Sequence, residues 1–150
     1  MPMTKNKVVD ITYARTKEYL EVLRRVEKEG KCPFCPDNFR YHPKPILKKT
    51  KKWFITKNTW PYKNAAYHFL IISKNHREKL QELSLGDWGE VHSLADWAIE
   101  KYKIAGGGLT VRFGDTKFTG ATVCHLHFHL ISPELNKKTK RGKTVYFPIG

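Results

Sequence analysis

The segment from Cys124 to Ile131 reads CHLHFHLI and alternates three histidines with apolar residues. Successive side chains of a β-strand point to opposite faces, so this pattern predicts a strand with His125, His127 and His129 on one face and a packing surface on the other. Seven histidines scattered at random over 150 positions would rarely produce it. One face of the strand is therefore predicted to carry chemistry. The alternatives are a purely metal-binding strand, since imidazole is the commonest metal ligand, and a surface strand with incidental histidines.

Hydrophobic periodicity elsewhere predicts two helices and several short strands. Apolar residues recur at helical spacing over 10–29, where Gly30 ends the pattern, and a second helix runs from a capping box at Ser84 and Asp87 to residue 102. Strands are predicted at 46–56 (a hairpin), 68–72, 109–113, 122–131 and 144–147, the last at an edge because a proline follows it. Elements in this order with short connections favour an α+β fold, an antiparallel sheet with packed helices, over a doubly wound fold.

Composition limits the class of protein. A length of 150 residues with 40% hydrophobic residues fits one folded domain, 1–150. No apolar run approaches the roughly 18 residues of a membrane helix, and the opening residues lack the apolar stretch of a secretory signal. We therefore expect a soluble, cytoplasmic protein that does not enter a membrane.

The chain is strongly basic. A formal net charge of +14 favours polyanionic partners such as nucleic acid, and two lysine-rich runs concentrate it. The alternative for both runs is a solvated face. The runs comprise Lys44, Lys48, Lys49, Lys51 and Lys52, and then Lys137, Lys138, Lys140, Arg141 and Lys143.

The histidine segment resembles the signature of the histidine-triad family, His-x-His-x-His followed by two apolar residues. Asn58 and the stretch 67–76, which ends in Lys-x-His, are similar to the family's Asn, turn and histidine-bearing strand, and the sequence GATVCH at 120–125 is similar to Gly-Gln-Ser/Thr-Val-x-His. The resemblance covers about 32–133. It implies a five-stranded antiparallel sheet with packed helices, often doubled into a homodimer, to which the N-terminal helix is an addition.

The resemblance also implies a chemistry. Members bind nucleotides and attack the α-phosphorus with the middle histidine, here His127, to form a nucleotidyl-histidine intermediate. A neutral imidazole with a pKa near about 6.5 is a competent nucleophile at neutral pH. His129 is placed to give the departing group a proton. His68 stands at the family's fourth site histidine; its alternative role is that of a satisfied histidine in a buried strand.

Four residues are predicted to bind the substrate. Asn58 matches the family's ribose-binding position. Gly120 and Thr122 offer backbone N–H groups and a hydroxyl to phosphate just before the histidine strand. Arg112 stands about where the family often has a phosphate-binding Asn, and a guanidinium can grip phosphate bidentately; a solvated strand charge is the alternative. The implied substrates are dinucleoside polyphosphates or nucleoside phosphoramidates, with adenine nucleotides favoured, as in zinc-bearing bacterial or archaeal relatives resembling diadenosine tetraphosphate hydrolases and phosphorylases.

Cys32 and Cys35 form a CPFC knuckle that presents two thiolates to one ion, and a closed zinc site needs two more ligands. The family resemblance points to His76 and His125. Such a zinc ion would be structural and supply no nucleophilic water. A redox role is disfavoured because the pair does not open a helix after a strand.

Two further functions stay open. One is removal of adenylate from nucleic-acid ends, which the positive charge would serve. The other is a non-catalytic, zinc-stabilised module that binds nucleotides or nucleic acid.

Three aromatic residues near the first lysine run, Trp53, Trp60 and Tyr62, are candidates either to stack on a base or to fill the core.

Overall fold

An antiparallel sheet of five strands lies at the centre of the computed structural model, which describes residues 7–150. Residues 1–6 of the predicted domain lie outside the described part of the chain. They include the start of the segment that was predicted not to be a secretory signal. The strands are Ile46–Lys49 (β1), Trp53–Lys57 (β2), Ala65–Ser73 (β3), Gly108–Val111 (β4) and His127–Pro133 (β5), in the spatial order β1-β2-β3-β5-β4. The predicted α+β class is confirmed.

Within residues 7–150, three α-helices accompany the sheet: Lys17–Glu29 (α1), Leu85–Tyr102 (α2) and Thr116–Thr119 (α3). Single 3₁₀ turns occur at Ile11–Tyr13 and Leu80–Glu82, and Pro36–Tyr41 contains two short 3₁₀ segments joined by a kink at Asn38. Over residues 7–150, no helix combines the length and the apolar character needed to cross a bilayer.

The two faces of the sheet have different coverings. Phe128 and Leu130 of β5 belong to the main core, which joins β2 and β3 to the apolar side of α2. His127 and His129 point to the opposite face, where their partners on β3 are Ile72 and Leu70. The Cys knuckle and α1 cover that second face. The alternating pattern therefore separates packing from chemistry for these two histidines, as predicted.

A buried carboxylate fixes the start of α2. Ser84 and Asp87 form the predicted capping box, in which the Asp87 carboxylate accepts from the Ser84 backbone N–H at 2.8 Å. The same carboxylate accepts two hydrogen bonds from Arg77, each of 2.9 Å, and one of 2.9 Å from the Trp53 indole N–H. Hydrogen bonds from Arg77, together with those from Ser84 and Trp53, hold the pKa of Asp87 well below its usual value against the opposing effect of burial.

Replacing Asp87 with alanine is expected to lower the free energy of unfolding by about 3–5 kcal/mol, because it leaves the Arg77 guanidinium and the Trp53 N–H without their partner. Urea unfolding followed by tryptophan fluorescence measures the change. Asp96→Ala, on an exposed position of the same helix, is the matched control and should stay within about 0.5 kcal/mol of the parent. A loss below about 1 kcal/mol in Asp87→Ala would contradict the proposed importance of this network.

The histidine strand is shorter than predicted. It begins at His127, and residues 122–124 instead pair with the N-terminal segment through the Asp10 N–H to Thr122 carbonyl bond and the Cys124 N–H to Val8 carbonyl bond, both 2.8 Å. His125 therefore precedes the strand. Strand alternation therefore governs only His127 and His129, while the His125 ring turns towards the Cys knuckle, whose Phe34 packs against both His125 and His127.

The N-terminal helix also begins later than predicted. Asp10 caps a 3₁₀ turn over Ile11–Tyr13, and the chain then extends to Thr16, whose hydroxyl accepts from the Tyr19 N–H and starts α1. Gly30, in the left-handed conformation with φ of 73°, ends the helix as predicted.

The predicted edge strand at 144–147 is wrong. This segment pairs with no strand in the described part of the chain, since Phe147 packs instead against Arg112, Tyr62 and His129. The C-terminal segment thus lies over the histidine face and not at an edge of the sheet.

Candidate functional site

A cavity of about 450 Å³ lies between α1 and the histidine face of the sheet. Its volume is within the range of small-ligand pockets. Side chains from α1, the Cys knuckle, the turn after β2 and the loop before β5 line it. It brings together six of the predicted site residues: Asn58, Arg112, Gly120, Thr122, His127 and His129. His68 lies directly behind His129.

The His127 ring is held by a backbone carbonyl. Its Nδ1–H donates to the carbonyl oxygen of His125 at 2.6 Å. A neutral imidazole with its proton on Nδ1 has a free lone pair on Nε2, and no residue within 7–150 forms a hydrogen bond with that nitrogen. Phe34 of the knuckle packs edge-on at 5.0 Å between ring centroids. The ring is thus oriented and presents an unprotonated nitrogen to a ligand.

His68 and His129 form a second, directional pair. The Tyr62 backbone N–H can only donate, and it lies 3.1 Å from His68 Nδ1, which places the His68 proton on Nε2; Asn58 Nδ2, itself a donor, lies 3.2 Å from that Nε2 without a hydrogen bond to it. That Nε2–H faces His129 Nδ1 at 2.8 Å, which places the His129 proton on Nε2. Among the described residues, His129 Nε2 is buried without a hydrogen-bond partner. A buried unpaired donor is costly, and an oxygen atom of a bound ligand would satisfy it.

Burial keeps these imidazoles neutral. It lowers the pKa of His127 to about 4 and that of His68 to about 3, and it lowers the pKa of His129 well below the usual value. The positive charge of Arg112 adds to each effect. At pH 7 the three rings are therefore uncharged, as a nitrogen nucleophile requires.

Arg112 occupies the mouth of the cavity, but most of its N–H groups are engaged. Nε and Nη2 donate to the Pro148 carbonyl at 2.9 and 2.7 Å, and both Nη atoms lie within 3.2 Å of Tyr62 Oη. Its guanidinium lies 3.8 Å from the centre of the Phe147 ring. Arg112 is thus part of the site and not a solvated strand charge, although a bidentate grip on phosphate would require it to release a contact.

The other predicted binding residues also have protein partners. Asn58 Oδ1 accepts from the Trp60 backbone N–H at 2.9 Å, and its Nδ2 lies 3.2 Å from His68 Nε2. The Thr122 hydroxyl lies 2.6 Å from Tyr19 Oη. Gly120 has φ of 68° at the end of α3 and lies against the C-terminal segment, where a Cβ would come within 2.5 Å of the Gly150 oxygen. Their roles towards ribose and phosphate stay predictions.

Sequence reasoning missed the residues that come from outside the central segment. Tyr19 and Arg15 line the cavity from the N-terminal region, and Phe147 of the C-terminal region packs against the His129 ring. The helical periodicity of α1 predicted which of its side chains are buried, but it did not predict that the helix lies against the histidine face of the sheet. Of the three aromatic candidates, Trp53 is fully buried in the core, whereas Trp60 and Tyr62 line the cavity, where stacking on a base stays a prediction.

The four predicted metal ligands lie together beside the cavity, with their ligand atoms all within 4.8 Å of one another. His125 Nδ1 is 3.3 Å from Cys32 Sγ and 3.7 Å from Cys35 Sγ, and His76 Nδ1 is 3.5 Å from Cys35 Sγ. These separations fit four donors around one ion at about 2.0–2.3 Å.

The surroundings of the cluster support the same ligand atoms. His125 Nε2–H donates to the Ser73 carbonyl at 2.6 Å, so its Nδ1 lone pair is directed at the cysteines. His76 Nε2 lies 3.5 Å from a Glu78 carboxylate oxygen. Burial raises the pKa of the Cys32 thiol to about 12, so a bound cation is what would hold it as a thiolate. Cys124, which also precedes β5, is buried outside the cluster as predicted.

Comparisons with known proteins agree with this architecture. The fold and the paired histidines on strand β5 define an α+β domain with a histidine-lined cavity. Residues 40–136 match the family described as HIT domain, and the chain belongs to this family. A search of curated proteins finds no match.

Solved structures of the same family superpose on the chain. A HIT family hydrolase from Clostridium thermocellum is 29% identical, with a TM-score of 0.56, over 69% of this chain and 91% of that one. A histidine triad nucleotide-binding protein from Candida albicans is 23% identical, with a TM-score of 0.58, over 79% and 83%. A Zn-bound histidine triad family protein from Mycobacterium smegmatis is 19% identical, with a TM-score of 0.54, over 74% and 80%. The last two likenesses concern the fold alone.

Proposed function

We propose that the protein is a nucleotide hydrolase or nucleotidyltransferase in which His127 Nε2 attacks the α-phosphorus of a dinucleoside polyphosphate or a nucleoside phosphoramidate. The observation that carries this proposal is the hydrogen bond from His127 Nδ1 to the His125 carbonyl, which leaves Nε2 free beside a cavity of nucleotide size. The likeness to a HIT family hydrolase supports the enzyme class.

The reaction proceeds in two displacements. In the first, the Nε2 lone pair forms a bond to phosphorus as the bond to the leaving group breaks with its electron pair; a phosphate chain departs as an anion, whereas an amine takes up a proton from solvent. The positive charge that the ring acquires is stabilised by the Nδ1–H bond to the His125 carbonyl. In the second, water or inorganic phosphate displaces the nucleotidyl group and restores the neutral imidazole. His129 Nε2–H donates to an oxygen of the reacting phosphate or of the leaving group.

The cavity supplies the binding groups. We assign phosphate contacts to Gly120, Thr122 and Arg112, and ribose to Asn58, in agreement with their positions around His127. Binding would require Thr122, Arg112 and the Gly120 N–H, which donates to the Thr116 carbonyl at 2.9 Å, to exchange a protein partner for a phosphate oxygen. Aromatic side chains from α1, the knuckle and the turn after β2 suit a nucleobase such as adenine.

We also assign zinc to Cys32, Cys35, His76 and His125. The donor set suits zinc, and the Zn-bound relative from Mycobacterium smegmatis supports the choice. Four protein ligands leave no position for a reactive water, so the ion would be structural. It would tie the knuckle, and with it Phe34, to the segment that carries His127.

A substrate comparison tests the proposed activity. Purified protein is incubated with diadenosine tetraphosphate or with adenosine phosphoramidate, with and without inorganic phosphate, and the products are separated by chromatography. Release of a nucleoside monophosphate in buffer alone indicates a hydrolase, and products that appear only with phosphate indicate a phosphorylase. Nucleotide binding without any turnover would contradict the enzyme and favour the binding module.

The pH profile carries a second prediction. Only the neutral ring attacks, and burial lowers the pKa of His127 to about 4, so kcat/KM should stay flat from pH 8 to about pH 5 and fall only below that. The activity extends to lower pH because a ring with a lowered pKa keeps its Nε2 lone pair unprotonated at a lower pH. Initial rates over short incubations measure the profile. An acid limb centred near the ordinary histidine value of about 6.5 would contradict the effect of burial.

Removal of adenylate from nucleic-acid ends is the second candidate, favoured by the net charge of +14 and by the exposure of most of both lysine-rich runs. A polyanionic substrate would bind with a steep dependence on salt. The test compares turnover of a 5′-adenylated DNA and of diadenosine tetraphosphate at low and at physiological salt. A higher kcat/KM for the DNA, lost as salt rises, would favour this candidate.

A further inference from the structure

We propose that the N-terminal extension, the chain before the family-matching residues 40–136, completes the site, and that its Arg15 binds phosphate groups of the leaving group. Arg15 thereby makes the enzyme selective for substrates that release a phosphate chain over substrates that release an amine. This inference rests on the proposed function, because it concerns the leaving side of the same reaction. Arg15 lies outside the residues 40–136 that match the family.

The extension is fixed to the segment that leads into the histidine strand. Val9 forms an antiparallel bridge with Val123, and Leu23 and Val26 of α1 are buried against these two valines. The Tyr19 hydroxyl is 2.6 Å from the Thr122 hydroxyl. The start of α1 is therefore held at a fixed place beside the cavity.

Arg15 lies just before α1 and lines the cavity with its side chain. Its guanidinium carbon is 4.0 Å from the centre of the Tyr62 ring, and that ring is 5.8 Å from the His129 ring, centroid to centroid. Arg15 is exposed and forms no hydrogen bond or ion pair with any residue of 7–150. Its N–H groups are free to bind an anion, whereas those of Arg112 on the same tyrosine are mostly engaged. A guanidinium matches phosphate oxygens in a bidentate geometry.

The protonation states of the histidine pair favour the same class of leaving group. An amine must gain a proton as it departs, whereas a phosphate chain leaves as an anion, since a phosphate group has a second pKa of about 6. If His129 gave up its Nε2 proton, His68 could replace it only by losing its own, and the partner of His68 Nδ1 is the Tyr62 backbone amide, which does not release a proton. The pair is therefore built to donate a hydrogen bond to an anion, and Arg15 provides the charge that holds the anion.

A binding experiment tests Arg15 independently of turnover. Calorimetry compares AMP with α,β-methylene ATP, an analogue whose α–β bridge is not cleaved, for the parent protein and for Arg15→Gln. The parent should bind the analogue at least about tenfold more tightly than AMP, and Arg15→Gln should lose most of that preference, since charge-assisted hydrogen bonds to phosphate are among the strong ones. Arg15→Lys keeps the charge and should retain part of the preference.

Arg24→Gln is the matched control, because Arg24 is an exposed arginine of α1 that does not line the cavity. It should keep the full preference for the analogue. In parallel, Arg15→Gln should lower kcat/KM for diadenosine tetraphosphate about tenfold more than for adenosine phosphoramidate. An unchanged preference in Arg15→Gln, with a melting temperature equal to that of the parent, would overturn the assignment.

The two proposals can fail separately. If Arg15→Gln loses the preference but no substrate is turned over, the phosphate site stands and the proposed function fails. If turnover proceeds and Arg15→Gln binds both ligands like the parent, the function stands and the role of Arg15 fails.

Discussion

Replacing His127 with asparagine is expected to reduce turnover by about 10⁴-fold or more while the protein stays folded. The asparagine amide can keep the hydrogen bond to the His125 carbonyl, but it offers no nucleophilic nitrogen in place of Nε2. Steady-state rates with diadenosine tetraphosphate measure the loss, and thermal unfolding checks the fold.

His92→Asn is the control for this substitution, since His92 is an exposed histidine of α2 on the far side of the sheet from the cavity. It should keep the parent rate. If His127→Asn kept a tenth or more of the parent rate, another group would be attacking the phosphorus.

Replacing Cys32 with serine is expected to release the metal and to lower the free energy of unfolding by several kcal/mol. Structural zinc sites contribute apparent binding free energies on the order of 10–16 kcal/mol, and Cys32 is the buried thiol of the cluster. Elemental analysis of freshly purified protein gives the metal content, and urea unfolding gives the stability.

Cys124→Ala provides the comparison for that experiment, because Cys124 is also buried and adjoins His125 but lies outside the cluster. It should retain one equivalent of zinc and lose about 1 kcal/mol. A parent protein without zinc, or a Cys32→Ser variant that keeps a full equivalent, would overturn the four-ligand assignment.

The metal cluster and the proposed nucleophile meet in one residue. The ring of His125 belongs to the cluster, and its backbone carbonyl sets the protonation of His127. Loss of metal should therefore reduce activity as well as stability, because the carbonyl that orients His127 would lose its support.

Features that depend on local periodicity could be predicted from the sequence. The two-residue repeat placed His127 and His129 opposite Phe128, and the spacing of Ser84 and Asp87 predicted the capping box. The Cys-x-x-Cys spacing with the family resemblance predicted the four residues that the fold brings within 4.8 Å.

Features that depend on contacts between distant segments could not be predicted. The pairing of Val9 with Val123 shortened the histidine strand, and no local pattern in either segment indicates the other. Phe147 ends a run of β-branched and aromatic residues typical of a strand, yet the aromatic surface of Tyr62 and the Arg112 guanidinium hold it over the site. Arg15 could be placed beside Tyr62 only once the fold was known.

Covalent trapping tests the central claim most directly. The protein is mixed with diadenosine tetraphosphate that carries ³²P in its α-phosphates, quenched in alkali within the first turnovers, digested and mapped by mass spectrometry. We predict adenylate on the peptide that contains His127, attached through a bond that is stable in alkali and labile in acid, and no label in His127→Asn. Continued turnover with no labelled intermediate, or label on a different residue, would contradict attack by His127.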